Sequence, residues 1–278
     1  IPVVGYFTLM DKFFLCCFVL SMFCSIESGI IYALLTSKNI TLSSDIHIFH
    51  NKNKDIYELE NCKFLQSGQD CENNFDIIFL CVKPKDIESA IKENSHIFLD
   101  NQTIISVAAG ITINSIKGFI QKDVLIARAM PNLCAIFNES ITGLCMPSNM
   151  NDNTKDLVEN IFKNIGYVRK INENEMHSFT ALYGSGPAYI MYFIESFIEC
   201  ENFDSISSDD KALLILQLLN STSKLLLTTK DISELRSKVT SKGGTTESAI
   251  KVLEENNFSE ILEEAIKSAR KKSIDLSK

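Results

Sequence analysis

The chain has no excess of positive charge, no Cys-x-x-Cys pair, no uninterrupted apolar run of membrane-spanning length and no cluster of histidines. With 27 Lys and Arg against 35 Asp and Glu, the formal net charge is −8. That excludes a nucleic-acid backbone as the main partner, because neutralising phosphates takes a basic face. An anionic cofactor is not excluded, since a local nest of backbone N–H groups can hold one. The nine cysteines are odd in number, and none pair at the spacing structural zinc prefers. They are expected to be small buried hydrophobes in a reducing, cytoplasmic setting. His47, His50, His96 and His177 form no ligand set, so no metal is expected. The apolar run Phe13–Cys24 is too short to cross a bilayer, which takes about 20 residues, and Glu27 interrupts any extension. A buried parallel strand, an aberrant leader and a targeting segment all fit that run, the first two better than the third. No membrane partner is expected.

What is present is an ordinary globular composition, 45% hydrophobic and 22% charged, with no repeats and no low-complexity linker. Two halves differ in pattern. In the first, short apolar runs alternate with helical spacings. Strands are expected at Cys16–Phe23, Ile46–His50, Asp76–Val82, Thr103–Ala108, Val124–Met130, Ile141–Met146 and Gly166–Ile171. Helices are expected at Gly29–Ser37, after Pro84, near Ile113–Ile120 and over Asp156–Ile165. Such alternation predicts βαβ units and a mostly parallel sheet. From Glu173 onward everything reads as helix: Ala188–Glu201, Ser208–Lys230, Ile232–Lys238 and Thr246–Leu276. Their apolar residues exceed one amphipathic face, as at Leu213, Leu214, Leu216, Leu218 and Leu219. An oligomer interface and a large helical core both account for that surplus. The expected domains are 1–171 and 172–278.

Three stretches carry chemistry. Val82, Lys83 and Pro84 end a strand abruptly, and ligands of open parallel sheets bind at strand carboxyl ends. A generic strand end reads the same way. Arg128-Ala129-Met130-Pro131-Asn132 also follows a strand. It is either a stiff turn or a ligand-facing loop, and Arg128 could answer a buried carboxylate instead of a ligand. Two glycine-rich loops each open a helix: Gly184-Ser185-Gly186-Pro187-Ala188 and Thr240-Ser241-Lys242-Gly243-Gly244-Thr245-Thr246. The second offers unpaired N–H groups and hydroxyls at a helix N-terminus, which suits a small carboxylate. Plain capping by Thr245 or Thr246 is the alternative.

Together with Ile105-Ser106-Val107-Ala108-Ala109-Gly110-Ile111 and Thr180-Ala181-Leu182-Tyr183-Gly184-Ser185-Gly186-Pro187, these blocks resemble the pyrroline-5-carboxylate reductase family in order and spacing. The resemblance runs from about Gly29 to Leu276, and the glycine-threonine block is its most specific part. It implies an α/β Rossmann-type N-terminal domain and an all-α C-terminal domain that dimerises, with further assembly to a decamer. It implies reduction of 1-pyrroline-5-carboxylate to L-proline with NADPH or NADH, the last step of proline synthesis. By the same resemblance Val82, Lys83, Pro84, Ala108 and Ala109 line the nicotinamide side. Ser241, Gly243, Gly244, Thr245 and Thr246 hold the substrate carboxylate, and Thr180 lies near the ring, with Thr180 and Thr246 as catalytic candidates. Asn51 and Lys52, after the second strand, replace the acidic residue that NAD enzymes often carry, which favours NADPH.

One part of the pattern is missing. The family's Gly-x-Gly-x-x-Gly after the first strand falls on Met22, Cys24 and Glu27. Side chains there would crowd a pyrophosphate, and Glu27 would repel it. The residues before about 28 are therefore expected not to be the natural N-terminus. The second account is a cofactor-impaired, non-catalytic oligomeric homologue. In either case weak NADPH binding is expected. Another imine or β-hydroxyacid reductase of the same architecture is the remaining rival. Lys242 stands where the family usually has Pro, and would add a positive charge beside a carboxylate.

Overall fold

The structure, a computed structural model, describes the backbone of residues 15–19, 46–50 and 62–66 and all of 75–200 and 205–277. The expected helix Gly29–Ser37 lies outside the described residues, as do Met22, Cys24, Glu27, Asn51 and Lys52.

Two compact units divide the chain. One is Ile1–Ser185 with Arg270–Lys278, and the other is Gly186–Ala269. The first is built on an eight-stranded sheet. Its strands are β1 (Leu15–Val19), β2 (Ile46–His50), β3 (Cys62–Gln66), β4 (Ile77–Leu80), β5 (Thr103–Ser106), β6 (Leu125–Met130), β7 (Ser140–Cys145) and β8 (Gly166–Lys170). The spatial order is β3-β2-β1-β4-β5-β6-β7-β8. From β3 to β6 every neighbouring pair is parallel. The expected mostly parallel sheet is therefore present, and the apolar run near the N-terminus supplies its central strand β1. Strand β3 had no counterpart in the sequence reading. Lys63 and Gln66 break its apolar run, as suits a strand at the sheet edge.

The continuous apolar runs follow from burial on both faces. Side chains alternate along a strand, so Ile77, Phe79 and Cys81 join one core with Ile105, Ala127, Val158 and Phe162. Ile78, Leu80 and Val82 join the other with Ile104, Ile126, Ile116 and Ile91. Helix α3 (Asp152–Lys163) packs on the first face, and α1 (Ile87–Glu93) and α2 (Ile113–Ile120) on the second. Burying each isoleucine stabilises the fold by about 1.5–3 kcal/mol before entropy is counted. Asn151 starts α3 by accepting from Thr154 N, and Thr112 starts α2 by accepting from Ser115 N.

Strand β7 runs antiparallel to β6. The connection from Pro131 to Glu139 is shorter than the roughly dozen residues a parallel crossover needs. Helix α3 supplies such a crossover between β7 and β8, which are parallel. At the start of β8, Gly166 has φ +142°, and a Cβ there would drive into the Ser140 backbone. Only glycine fits that register pair.

Short helix α4 (Met176–Phe179) continues through a wider π turn over Thr180–Gly184. The remaining helices are α5 (Gly186–Cys200), α6 (Ser208–Leu226), α7 (Ile232–Lys238), α8 (Thr245–Glu255) and α9 (Phe258–Asp275). The single helix expected over Thr246–Leu276 is two. Asn257 takes φ +55°, a left-handed conformation Asn tolerates, and the chain turns there. Among the described residues no helix is long and apolar enough to cross a membrane, and no His, Cys, Asp and Glu group could hold a metal.

Candidate functional site

The order β3-β2-β1-β4-β5-β6 reverses direction between β1 and β4. Open α/β sheets bind ligands outside the strand carboxyl ends at such a point. Val82, Lys83 and Pro84 lie just past the carboxyl end of β4. Val82 is buried, Lys83 is exposed, and Pro84 opens a short turn into α1. Ala108 and Ala109 lie just past the end of neighbouring β5, held by Val107 N donating to Leu80 O and Ala108 N to the Ser106 hydroxyl. The structure thus brings all five nicotinamide-side candidates to one end of two adjacent strands. Ala108 and Ala109 have small side chains, and Gly110 takes φ +82° where a Cβ would meet Leu276.

The next strand end shows what its block is for. Arg128 is 2% exposed, and its Nη1 lies 2.9 Å from Glu173 Oε1. Arg128 answers a carboxylate, as one of its two readings expected, but that carboxylate is a third exposed rather than buried. Glu173 was not singled out from the sequence. A buried arginine demands an acidic partner, but nothing local says that it sits 45 positions away. Asn132 is buried and fully engaged. Its Oδ1 accepts from Cys134 N, its Nδ2 donates to Tyr183 O, and its N donates to the Ser140 hydroxyl. These bonds stiffen the turn and tie it to Tyr183, next to the start of the glycine-rich segment.

Thr180 is buried, and its hydroxyl donates to Met176 O at 2.8 Å. It begins the π turn, whose last bond runs from Ser185 N to Thr180 O. Turns of this kind occur often at functional sites. Close by, His177 Nδ1 and the buried Ser273 hydroxyl are 2.9 Å apart. Burial, then Arg128 and Arg270, push the His177 imidazole down from its ordinary pKa, against a smaller opposing pull from Glu173. Burial and Glu173 push the Cys145 thiol up, so it stays protonated and inert.

The second unit carries the other candidates. Gly243 has φ +77°, and Gly244 is the N-cap of α8 with no side-chain cap. Capping by Thr245 or Thr246 is therefore not what happens. Both lie inside the first turn, and among the described residues neither hydroxyl makes a hydrogen bond. The first-turn N–H groups of a helix have no intrahelical partners. Ser241 O accepts from Gly244 N at 3.0 Å, and Glu247 Oε2 accepts from Gly243 N at 2.6 Å. The loop opens into a groove of about 760 Å³ between α7 and α8, lined in part by Arg236, Thr240 and Glu247. Ser241, Gly243, Gly244, Thr245 and Thr246 thus lie on one turn of chain.

The sheet order and its switch point define a Rossmann-type α/β protein followed by a helical region. The family model for pyrroline-5-carboxylate reductase dimerisation matches residues 173–276. Pyrroline-5-carboxylate reductase 2 of Bacillus subtilis (strain 168) is 30% identical over 257 residues, 91% of this chain and 92% of its own length. A pyrroline-5-carboxylate reductase of Coxiella burnetii is 28% identical, with a TM-score of 0.80 over 95% of this chain and 98% of its own. The pyrroline carboxylate reductase of Plasmodium falciparum, solved with NADP bound, has the same fold, with a TM-score of 0.81 at 24% identity over 96% of this chain and 98% of its own. The chain belongs to the pyrroline-5-carboxylate reductase family.

Proposed function

We propose that this chain reduces 1-pyrroline-5-carboxylate to L-proline with NADPH or NADH. The observation that carries the reading is the Ser241–Thr246 turn. Past the engaged Gly243 and Gly244 amides, it presents the first-turn amides and two unengaged hydroxyls of Thr245 and Thr246, a donor set suited to a small carboxylate that takes the place of Glu247 on Gly243 N. A protonated imine is already electrophilic, so the chain mainly has to align donor and acceptor and keep water out. In this reading Ser241, Gly243, Gly244, Thr245 and Thr246 hold the carboxylate. Thr246 also orients the imine, and Thr180, its proton engaged by Met176 O, offers only lone pairs to the ring.

The described residues fit a nicotinamide. Val82, Lys83, Pro84, Ala108 and Ala109 lie at adjacent strand ends, and the two alanines have small side chains. When bound, the cofactor supplies the hydride that reaches the C=N carbon. Asn51 and Lys52 would sit by the adenosine ribose and favour NADPH, in keeping with the NADP bound by the Plasmodium falciparum relative. The pyrophosphate side fits less well, because Met22, Cys24 and Glu27 replace the family's glycines.

The helical region supports a homodimer. On the second unit Tyr192, Leu213, Leu227, Ile232 and Ile261 are each more than half exposed in the single chain. An apolar surface of that kind is what obligate partners bury. The second reading, a non-catalytic oligomeric homologue, is favoured only by the glycine substitutions.

The deciding experiment is pyrroline-5-carboxylate-dependent oxidation of NADPH, with this chain and with its M22G/C24G/E27G variant. Activity in either supports the reductase. Inactivity of both, with an intact dimer, would hand the case to the non-catalytic homologue.

A further inference from the structure

Glu173 stands at the meeting of three segments. Its Oε1 accepts from Ile113 N at 2.7 Å and from Arg128 Nη1 at 2.9 Å. Arg128 belongs to β6, inside the sheet. Ile113 begins α2 and ends the loop that carries Ala108 and Ala109. Glu173 itself opens the turn that leads through α4 to Thr180, and that turn is locked by a capping box between Asn172 and Glu175. Charge-assisted bonds of this length are short and directional. A second support reaches the same loop, where a Cβ on Gly110 would lie 2.8 Å from Leu276 Cβ. The Arg128 side chain is 3% exposed and that of Glu173 34%, so the pair is held by the fold rather than by solvent. Arg128 also cancels the negative charge that a lone carboxylate would place near the strand ends where an anionic cofactor binds.

We propose that Glu173 is a positioning residue for hydride transfer. One carboxylate oxygen sets the loop of Ala108 and Ala109 in register with the segment carrying Thr180, using the buried Arg128 as its fixed point. This rests on the reductase reading given above. Misplacing a reacting group by about 1 Å costs on the order of a hundredfold in rate, so a clamp of this kind acts on kcat. Glutamine retains an oxygen that can accept the same two bonds, whereas alanine retains neither.

The test uses the full chain and its M22G/C24G/E27G background, each with E173A and E173Q. Amide hydrogen exchange is read over residues 107–113 and, as reference, over β4 and α3. Expected for E173A is exchange over 107–113 faster by about tenfold or more beyond the rise shared by β4 and α3, which reports the stability lost with the Arg128 pair. Expected in the active background is kcat lower by about tenfold or more with KM for both substrates within about twofold, and substantial recovery of both readouts in E173Q. Unchanged exchange over 107–113 overturns the proposal, and so does faster exchange with an unchanged kcat. Exchange raised equally throughout the sheet, with no recovery in E173Q, also overturns it, because that is plain loss of stability. If the parent background oxidises no NADPH, the reductase reading falls. Exchange and the nicotinamide fluorescence of bound NADPH then decide alone, and equal values in E173A and its parent end the proposal.

Discussion

Arg128 and Glu173 form an ion pair of 2.9 Å whose two ends sit on opposite sides of a steep gradient of exposure, the guanidinium buried and the carboxylate a third open to water. Such pairs contribute little net stability relative to apolar packing, but removing one partner is costly. Arg128→Met keeps most of the side-chain volume and leaves Glu173 free to rehydrate. It is expected to lower the unfolding free energy by about 2 kcal/mol, below the roughly 3–5 kcal/mol of fully buried pairs. A urea titration measures this, and an unchanged midpoint would show that the pair is incidental.

Gly166→Ala is expected to be worse. The added Cβ meets Ser140 backbone atoms across β7 and β8, at a φ of +142° that L residues rarely adopt. No flexible side chain can yield there. A loss of more than about 3 kcal/mol follows from overlap plus backbone strain. Soluble expression with a near-parental melting temperature would contradict it.

The His177 imidazole is held neutral by burial and by the charges of Arg128 and Arg270. A histidine whose folded pKa lies below its unfolded value takes up a proton more readily when unfolded. Its contribution to stability is therefore complete above the ordinary value of 6.5 and is lost as the pH falls below it toward the folded pKa. The Ser273 hydroxyl and Glu173 also face the ring, and only Glu173 favours its protonation. Melting temperature is expected to fall from pH 7 to pH 5 in the parent, and to fall less in His177→Gln. Parallel curves for the two proteins would place the effect elsewhere.

Much of this fold was legible because sheet burial writes itself into the sequence. The run Asp76–Val82 alternates between two cores, so an all-apolar strand signals cover on both faces. The edge strand Cys62–Gln66 was not legible, because Lys63 and Gln66 interrupt its apolar pattern. The break in the last helical stretch rests on one left-handed residue, Asn257, which a helical periodicity count passes over. The glycine-rich helix start at Ser241–Thr246 was legible because it is made of local backbone, with Gly243 at positive φ and Gly244 as N-cap. The candidate site was hidden where it depends on distant partners. Nothing near Glu173 in sequence announces Ile113 or Arg128.

Exposed apolar side chains on the second unit predict a dimer that a charge should split. Tyr192 is 73% and Leu213 65% exposed in the single chain. Y192E with L213E would place two desolvated charges in such an interface. The pair is expected to raise the dimer dissociation constant at least a hundredfold, read by light scattering across a dilution series. The same dimer mass at low micromolar concentration would move the interface to other helices.

The last prediction concerns the turn before α8. Gly243 takes φ +77°, so Gly243→Ala strains the backbone by about 1–2 kcal/mol. Gly244 is constrained differently, since a Cβ there would lie 3.0 Å from both Ser241 O and Ser241 Oγ. Either change tilts the amides that the substrate carboxylate would meet, while Thr246→Ala leaves the backbone alone and removes one hydroxyl. In the M22G/C24G/E27G background, Gly243→Ala and Gly244→Ala are expected to raise KM for pyrroline-5-carboxylate about tenfold or more, with KM for NADPH unchanged. Thr246→Ala is expected to lower kcat/KM by about ten- to a hundredfold, the effect of one lost hydrogen bond to a charged group. The second unit should melt as before in the threonine variant, because that hydroxyl makes no bond among the described residues. Turnover at parental kcat/KM in all three variants would mean that the carboxylate is held elsewhere, and that this turn is only the start of a helix.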